Sequence, residues 1–261
     1  MTDLIVVGTG AAGGVGKSTL VQLLAYMHQY GGNELAVLVA DDKGRKQDGT
    51  LDMAALLPSH QVAWLGAGPD PKEVEDDPDA LNRHWDQLDT LLKSKSIIVD
   101  LGANVLQRLV GYALAIRAAK RWTAAGVNVQ VWVPTNNVPQ NIAAAGEALE
   151  LAAKAFGSVS LVAVKNEVRG ALPDDVDAAF GALGAKVVTL PKCGAPRDGL
   201  VAVESAQIPL FAAADMDEDA LAKAIGVTSG VAVRTKYGIE AWLDALYENF
   251  AGLVPERKPG E

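Results

Sequence analysis

The stretch GTGAAGGVGKST at residues 8–19 follows a short apolar run at residues 4–7 and precedes a segment with helical spacing at residues 18–30. Because glycine lacks a Cβ atom, a loop this rich in glycine lets the backbone wrap closely around an anionic group. The N–H groups of the loop and of the helix N-terminus supply partial positive charge. This order of strand, glycine-rich loop and helix therefore predicts a polyphosphate-binding loop.

Each residue after the glycines has its own expected task in such a loop. Lys17 is expected to reach the β- and γ-phosphates, Ser18 to hold Mg²⁺ through its hydroxyl group, and Thr19 to bond the α-phosphate. A glycine-rich turn beside a solvated lysine is the alternative interpretation. The other expected nucleotide contacts in the loop are Gly13, Gly14, Val15 and Gly16.

Apolar runs rich in Val, Ile and Leu recur along the chain and alternate with longer segments that have helical spacing. The runs are residues 4–7, 35–40, 97–99, 127–133, 159–164 and 186–190. The clearest helical segments are residues 18–30, 81–93, 105–125, 142–155 and 237–250. This alternation predicts an α/β fold with a doubly wound, mostly parallel sheet and helices on both faces.

The composition limits the organisation and the location of the protein. We expect a single domain over residues 1–261, with C-terminal helices from about residue 215, because 261 residues suit one such sheet and no internal repeat is visible. The net charge of −9 argues against a surface that binds nucleic acid throughout. A lone cysteine, Cys193, and the lack of a signal or transmembrane pattern predict a cytoplasmic protein with no membrane contact.

Acidic residues follow two of the apolar runs. Asp41 and Asp42 come after the run at residues 35–40, and Asp100 comes after the run at residues 96–99. The carboxyl ends of parallel strands are where such folds bind ligands. Asp100 is therefore a candidate outer-shell ligand of Mg²⁺, because this cation prefers oxygen donors and keeps several waters. A helix-capping role for Asp100 is the alternative.

Residues 13–19, GGVGKST, resemble the deviant Walker A loop of the ParA/MinD superfamily, whose usual pattern is Lys-Gly-Gly-x-Gly-Lys-Ser/Thr-Thr. The match starts one residue late, since Ala12 stands at the extra lysine of the family and Ala11 at its first glycine. In the family that lysine reaches across a nucleotide sandwich dimer to the partner's phosphates. The resemblance implies ATP or ADP with Mg²⁺ as ligands and a nucleotide-dependent homodimer, while Ala12 implies weak hydrolysis.

The resemblance also implies roles for residues outside the loop. Asp100 with Gly102 resembles the Walker B strand running into switch II, and Asp41 is expected to position the attacking water, a task that Asp42 could also perform. Asn166 is expected to contact the purine with its amide, and Pro191 to begin a loop near the base. The resemblance spans residues 3 to about 210.

The function implied by this resemblance is that of an Mg²⁺-dependent ATP-binding protein and slow ATPase, a nucleotide-controlled switch in plasmid, DNA or cargo positioning. The pattern at residues 100–103 resembles the TraL and StbB groups of plasmid stability and conjugation. Expected partners are an adaptor protein and, through a modest basic cluster, non-specific DNA. The alternatives are a dethiobiotin synthetase-like ligase, which shares a similar loop, and a nucleotide-gated adaptor with little turnover. The basic residues are Arg108, Arg117, Lys120 and Arg121, and again Arg234 and Lys236, and a solvated helix face is the alternative interpretation.

The segment at residues 237–254 predicts a final amphipathic helix. Its polar face carries Glu240, Asp244 and Glu248, whereas a membrane-bound helix needs basic residues there. The pattern therefore favours packing on the domain or on a second protein. The apolar stripe consists of Ile239, Trp242, Leu243, Leu246, Phe250 and Leu253.

Overall fold

The computed structural model describes residues 2–9, 14–41, 52–156 and 159–256. Their strands form one seven-stranded parallel sheet in the order β3-β2-β4-β1-β5-β6-β7. This confirms the predicted α/β fold with a doubly wound parallel sheet. The strands are β1 (Thr2–Val7), β2 (Leu35–Ala40), β3 (Val62–Trp64), β4 (Ser96–Leu101), β5 (Val127–Thr135), β6 (Ser160–Asn166) and β7 (Lys186–Leu190).

Helices connect the strands and cover both faces of the sheet. The first six are α1 (Lys17–Tyr30), α2 (Asp52–Leu56), α3 (Pro71–Asp76), α4 (Ala80–Leu91), α5 (Val105–Ala115) and α6 (Ala118–Ala124). The next six are α7 (Pro139–Phe156), α8 (Asp175–Ala182), α9 (Arg197–Ser205), α10 (Leu210–Asp215), α11 (Glu218–Ile225) and α12 (Ser229–Asn249). A short 3₁₀ turn, Glu167–Arg169, follows β6.

The core has two layers because successive side chains of a strand point to opposite faces of the sheet. In β1, Leu4 and Val6 pack with α4 to α8, whereas Ile5 and Val7 pack with α1, α2 and α9 to α12. All four side chains are fully buried. The apolar runs in the sequence are continuous because both faces of these strands are covered.

Strand β1 lies between β4 and β5, at the point where the chain reverses the direction in which it adds strands. After β1 the chain builds β2, β3 and β4 on one side, and it then builds β5, β6 and β7 on the other. The crevice at the carboxyl end of such a strand is the usual ligand site of open α/β sheets. Helix α1 begins at this crevice, directly after the glycine-rich loop.

Two predicted helices have different bounds in the structure. The segment predicted as one helix over residues 105–125 is divided into α5 and α6, because Arg117 has φ 55°, in the left-handed region. The final helix begins at Ser229, eight residues before the predicted start. Strand β3 was not predicted, and two of its three residues are exposed.

The apolar stripe of the final helix packs on the domain, as the sequence predicts. Its members Ile239, Trp242, Leu243, Leu246 and Phe250 are buried among helices and strands of the same face. Within the ranges that the structure describes, no helix combines the length and apolar character needed to cross a membrane.

Candidate functional site

The amino end of α1 has a backbone that suits an anionic ligand. Gly16 precedes the helix with φ 90° and Gly14 has φ 71°, both in the left-handed region that glycine adopts without strain. Gly16 has no side chain that could cap the helix. The first N–H groups of a helix have no intrahelical acceptor, so those of α1 can donate to a bound anion. Gly13 and the preceding Ala11 and Ala12 lie outside the described residues.

Lys17 and Asp100, predicted from motifs 83 residues apart, form an ion pair at the carboxyl end of β4. Lys17 Nζ lies 2.7 Å from Asp100 Oδ1, and the two side chains are 16% and 6% exposed. Burial raises the pKa of Asp100, the charge of Lys17 acts against this rise, and the nearby Asp41 carboxylate adds to it. The pair therefore keeps a buried carboxylate next to a cation at the glycine-rich loop.

Asp41, at the end of β2, packs against the backbone of Gly102. A Cβ atom built on Gly102 would lie 2.7 Å from Asp41 Cγ and 2.8 Å from Oδ1, so any larger residue here would displace the Asp41 carboxylate. The Gly102 N–H group donates to the Ala40 carbonyl oxygen at 2.8 Å, and Trp64 Nε1 donates to the Asp41 carbonyl oxygen at 3.0 Å. These contacts place the Asp41 carboxylate near Asp100. Its expected neighbour Asp42 lies outside the described residues.

Two buried asparagines hold the glycine-rich loop from the other side of β1. Asn166 Nδ2 donates to the Val15 carbonyl oxygen at 2.9 Å, and Asn136 Nδ2 lies 3.5 Å from the Gly14 carbonyl oxygen. A Cβ atom on Gly16 would lie 2.2 Å from Asn166 Nδ2, so this approach requires glycine in the loop. The amides therefore fix two consecutive carbonyl groups of the loop.

The sequence predicted only part of these asparagine roles. Asn166 was predicted to contact the purine, and in the structure its amide holds Val15 while its Oδ1 accepts from Val168 N at 3.1 Å. Asn136 was not among the predicted site residues, and its Oδ1 accepts from Val138 N at 3.2 Å, one residue before α7 begins. Its approach to Gly14 was not predicted. The signal for it is the position of Asn136 directly after a buried strand.

The remaining predicted residues lie near the same carboxyl ends of the strands. Ser18 is exposed and Thr19 is half-buried in the first turn of α1. Pro191 follows β7, whose last residue Leu190 pairs with Asn166. The Pro191 carbonyl oxygen accepts from Trp242 Nε1 at 2.6 Å, which ties it to α12.

The donor set fits Mg²⁺ held jointly by the protein and a phosphate ligand. Within the described ranges, no group of three or more His, Cys, Asp or Glu side chains could hold a metal ion by itself. The Asp100 carboxylate and the Ser18 hydroxyl offer hard oxygen donors, as Mg²⁺ prefers, and the cation usually takes its other ligands from phosphates and water. Ser18 and Asp100 are thus the residues that could hold the cation.

The chain is similar to known proteins in structure and not in sequence. No family model matches the chain, and no curated protein matches it. Among solved structures, the chain resembles a nucleotide-binding protein from Archaeoglobus fulgidus in complex with ADP, at 12% sequence identity and a TM-score of 0.45. The match covers 97% of this chain and 92% of the other.

Proposed function

We propose that this chain is an Mg²⁺-dependent ATP-binding protein and slow ATPase that acts as a nucleotide-controlled switch. The observation that supports it most is the Lys17–Asp100 pair at the amino end of α1, beside the left-handed Gly16. Backbone N–H groups, a lysine and a strand-end carboxylate are the groups that a phosphate-loop protein needs for a polyphosphate and its cation.

Nucleotide binding would exchange the partner of Lys17. In the free protein the Lys17 ammonium group donates to Asp100. A bound triphosphate carries more negative charge and competes for the same ammonium group. Asp100, relieved of Lys17, would hold Mg²⁺ together with the Ser18 hydroxyl group. Each buried charge then keeps a partner in both states, which avoids the cost of an unpaired charge.

Hydrolysis needs a positioned water and stabilisation of the developing charge. When bound, Mg²⁺ would neutralise charge on the phosphate oxygens, and Lys17 would stabilise the charge that develops in the transition state. Asp41, held against Gly102, is the proposed residue that orients the water. A slow rate follows from the sequence, because Ala12 offers no second lysine at the phosphates.

The proposed partner is a protein, either a second copy of the chain or an adaptor, as the resemblance of the loop to ParA/MinD proteins implies. Three of the six basic residues that could bind DNA have intramolecular partners, among them Lys236, which donates to Glu240 and to the Ala214 carbonyl oxygen. Arg108 Nη1 donates to the Ala67 carbonyl oxygen at 3.0 Å, and Arg121 pairs with Asp89 at 3.0 Å. These contacts favour a protein partner over DNA.

Replacement of Lys17 tests the phosphate-loop assignment. We expect Lys17→Ala to weaken Mg²⁺-ATP binding by more than about 100-fold in a calorimetric titration, because a charge-assisted contact to the phosphates is lost. Lys154→Ala, which removes an exposed lysine of α7, is the matched control and should bind normally. Thermal unfolding of both variants shows whether the protein still folds when Asp100 has lost its partner. ATP affinity retained in folded Lys17→Ala contradicts the assignment.

Sedimentation combined with a phosphate-release assay tests the switch. The protein is compared without nucleotide, with ADP and with ATP plus Mg²⁺. We expect slow phosphate release and a change of mass that only ATP produces. A mass that never changes with nucleotide contradicts the homodimer, and stoichiometric binding without phosphate release contradicts the ATPase.

A further inference from the structure

A cavity opens at the amino ends of β2, β3 and β4, away from the glycine-rich loop. Three residues that line it, Glu34, Gln61 and Lys95, come directly before these strands. Asp41 follows the opposite end of β2. Because β2 has six residues, its two ends lie about 17 Å apart. The cavity is therefore separate from the proposed nucleotide site.

The size and the lining of this cavity suit a small polar ligand. Its volume is about 470 Å³, within the range of pockets that bind small molecules. Its apolar part consists of Leu35 and Ala36, both buried at the start of β2. The rest of the lining is polar, which favours a polar ligand over an apolar one. The polar side chains are Gln29, Glu34, Ser59, His60, Gln61 and Lys95.

Two opposite charges line the cavity without pairing to each other. The half-buried Lys95 donates from Nζ to Gln61 Oε1 at 2.7 Å, and it has no carboxylate partner among the described residues. The exposed Glu34 carboxylate forms neither an ion pair nor a side-chain hydrogen bond within the part of the chain that the structure describes. A ligand that carries both charges could therefore satisfy both groups at once.

The amide groups in the cavity present donors near Lys95. Gln61 Oε1 accepts from Lys95, and Gln29 Oε1 accepts from Ser59 Oγ at 3.2 Å. Because each amide oxygen is engaged, its NH₂ group remains able to donate to a ligand. Together with the Lys95 ammonium group, these donors suit a carboxylate.

His60 adds an acceptor to the cavity. Its Nε2 lies 3.2 Å from the Ala25 carbonyl oxygen, and because a carbonyl oxygen can only accept, Nε2 carries the proton. Burial lowers the pKa of His60, and the hydrogen bond to Ala25 acts against this shift, so the ring is neutral at pH 7. Nδ1, which lies 3.3 Å from Ser59 Oγ, is therefore an acceptor. Glu34 and this nitrogen can accept from an ammonium group or a polar side chain.

We propose that this cavity binds a small zwitterion of the amino-acid class, with its carboxylate at Lys95 and its ammonium group at Glu34. Glu34 would repel a ligand with only a negative charge, and Lys95 would repel a ligand with only a positive charge. Ser59 and His60 offer partners for a polar side chain of the ligand. The site is a second binding function, and it does not depend on the proposed nucleotide binding.

Three ligands and two variants test the site. L-Glutamine carries both charges, N-acetyl-L-glutamine keeps only the carboxylate, and L-glutaminamide keeps only the ammonium group. Lys95→Gln and Glu34→Gln each remove one charge from the cavity. Lys93→Gln and Glu75→Gln are the matched controls, because both residues are exposed and neither lines the cavity. Magnetic resonance titrations that follow the ring of His60, one of three histidines in the chain, measure the affinities.

We expect the wild type to bind L-glutamine more tightly than either blocked ligand, and the two variants to give a crossed pattern. Lys95→Gln should weaken the binding of L-glutamine and N-acetyl-L-glutamine by about fivefold without weakening that of L-glutaminamide. Glu34→Gln should weaken the binding of L-glutamine and L-glutaminamide by about fivefold without weakening that of N-acetyl-L-glutamine. Both control variants should bind all three ligands normally.

The contrary outcomes are distinct from those that concern the nucleotide. Wild-type protein that binds none of the three ligands overturns the site. An equal loss for all three ligands in either variant also overturns it, because the charge then acts only through the stability of the cavity. Tighter binding of a blocked ligand than of L-glutamine overturns the zwitterion. Wild-type protein that binds L-glutamine but not Mg²⁺-ATP overturns the proposed function and supports this site.

Discussion

On the side of β1 toward β4 and β2, the buried polar groups at the glycine-rich loop are charged, whereas on the side toward β5 and β6 they are amides. Lys17 and Asp100 form an ion pair on the first side. Asn136 and Asn166 approach carbonyl groups of the loop on the second. Both sides satisfy their buried polar groups, but with different chemistry.

The difference explains how one loop can be both rigid and able to respond to a ligand. An ion pair can exchange one of its members for a charged ligand, because the ligand supplies the missing charge. An amide that donates to a backbone carbonyl attracts no ion and fixes the loop in place. The charged side is therefore suited to respond to a ligand, and the amide side is suited to keep the loop preformed.

The largest expected effect comes from placing a charge on the amide side. In Asn166→Asp a carboxylate would face the Val15 carbonyl oxygen, which now accepts a hydrogen bond at 2.9 Å. An unpaired buried charge of this kind costs about 3–5 kcal/mol of stability. Urea unfolding at pH 8 measures this loss, and Asn33→Asp at an exposed position is the control.

The pH dependence of Asn166→Asp separates charge from shape. Because the buried carboxyl is more stable when protonated, its pKa in the folded state should exceed that in the unfolded state. The folded variant then binds more protons than the unfolded chain, so its stability falls as the pH rises through the carboxyl range. Equal stability of the variant and the wild type at pH 8 would contradict the contact with Val15.

His28, near the C-terminal end of α1, extends the comparison. It is buried with neither an ion-pair partner nor a hydrogen-bond partner. Among the described residues, neither of its ring nitrogens has a hydrogen-bond partner. Burial lowers the pKa of His28 from 6.5 to about 4, and the Asp3 carboxylate opposes this shift only in part. The imidazole of His28 therefore stays neutral at neutral pH, because burial disfavours its charged form.

We expect His28→Met to make the free energy of unfolding depend less on pH in the acidic range. The wild-type histidine takes up a proton more readily when unfolded, so the stability of the wild type falls as the pH drops from about 6.5 to about 4. Over this range the shift corresponds to about 3 kcal/mol. Chemical denaturation of both proteins at several pH values measures the difference, and parallel curves would show that His28 has a partner.

A smaller effect is expected from removing the charge of Asp100. Asp100→Asn leaves Lys17 a hydrogen-bond acceptor but removes the anionic group that we assign to Mg²⁺. We expect Mg²⁺ to improve ATP binding about tenfold less in this variant, whereas metal-free binding changes little. Titrations with and without Mg²⁺ measure both values. An equal loss in the two titrations would contradict the metal role.

The same variant has a pH signature. Because burial raises the pKa of Asp100, the folded wild type holds this proton more tightly than the unfolded chain does. Its stability therefore falls as the pH rises from the ordinary carboxyl range to the higher folded pKa, where ionisation is complete. Asp100→Asn cannot titrate and should lack this decrease.

The main strands could be predicted from the sequence because parallel strands covered on both faces need continuous apolar runs. The predicted runs at residues 35–40 and 186–190 coincide with β2 and β7. Strand β3 could not be found in this way, since it lies at the edge of the sheet and its Trp64 is 45% exposed. Only pairing with β2 defines it.

The break between α5 and α6 also lies beyond the reach of a local pattern. No glycine or proline marks it, and Arg117 adopts its left-handed backbone in a segment that has helical spacing throughout. The break accompanies tertiary contacts, because Ala118 is fully buried and Trp122 Nε1 donates to Asp89 Oδ1 at 2.9 Å. Such contacts depend on α4, which is distant in sequence.

Much of the candidate site follows from motifs, whereas its supports do not. The sequence named Lys17 and Asp100, and the structure brings them into contact. The ligand roles of these residues and of Asp41, Asn166 and Pro191 stay predictions. The contacts of α12 with Pro191 and Ala195 were not predicted, because they depend on close backbone approach. Gly238 inside a helical segment is the signal that could have indicated them.

The two edge strands of the sheet determine how easily a strand from another molecule could pair with it. Strand β3 at one edge has only three residues. At the other edge, Asn249 Nδ2 donates to the Thr189 carbonyl oxygen at 3.1 Å, and Lys186 Nζ donates to the Ala251 carbonyl oxygen. Short edge strands and polar groups engaged by side chains discourage a foreign strand from joining a sheet. Edge-to-edge aggregation and strand addition are therefore disfavoured, which leaves the helices and the loop-bearing crevice as surfaces for partners.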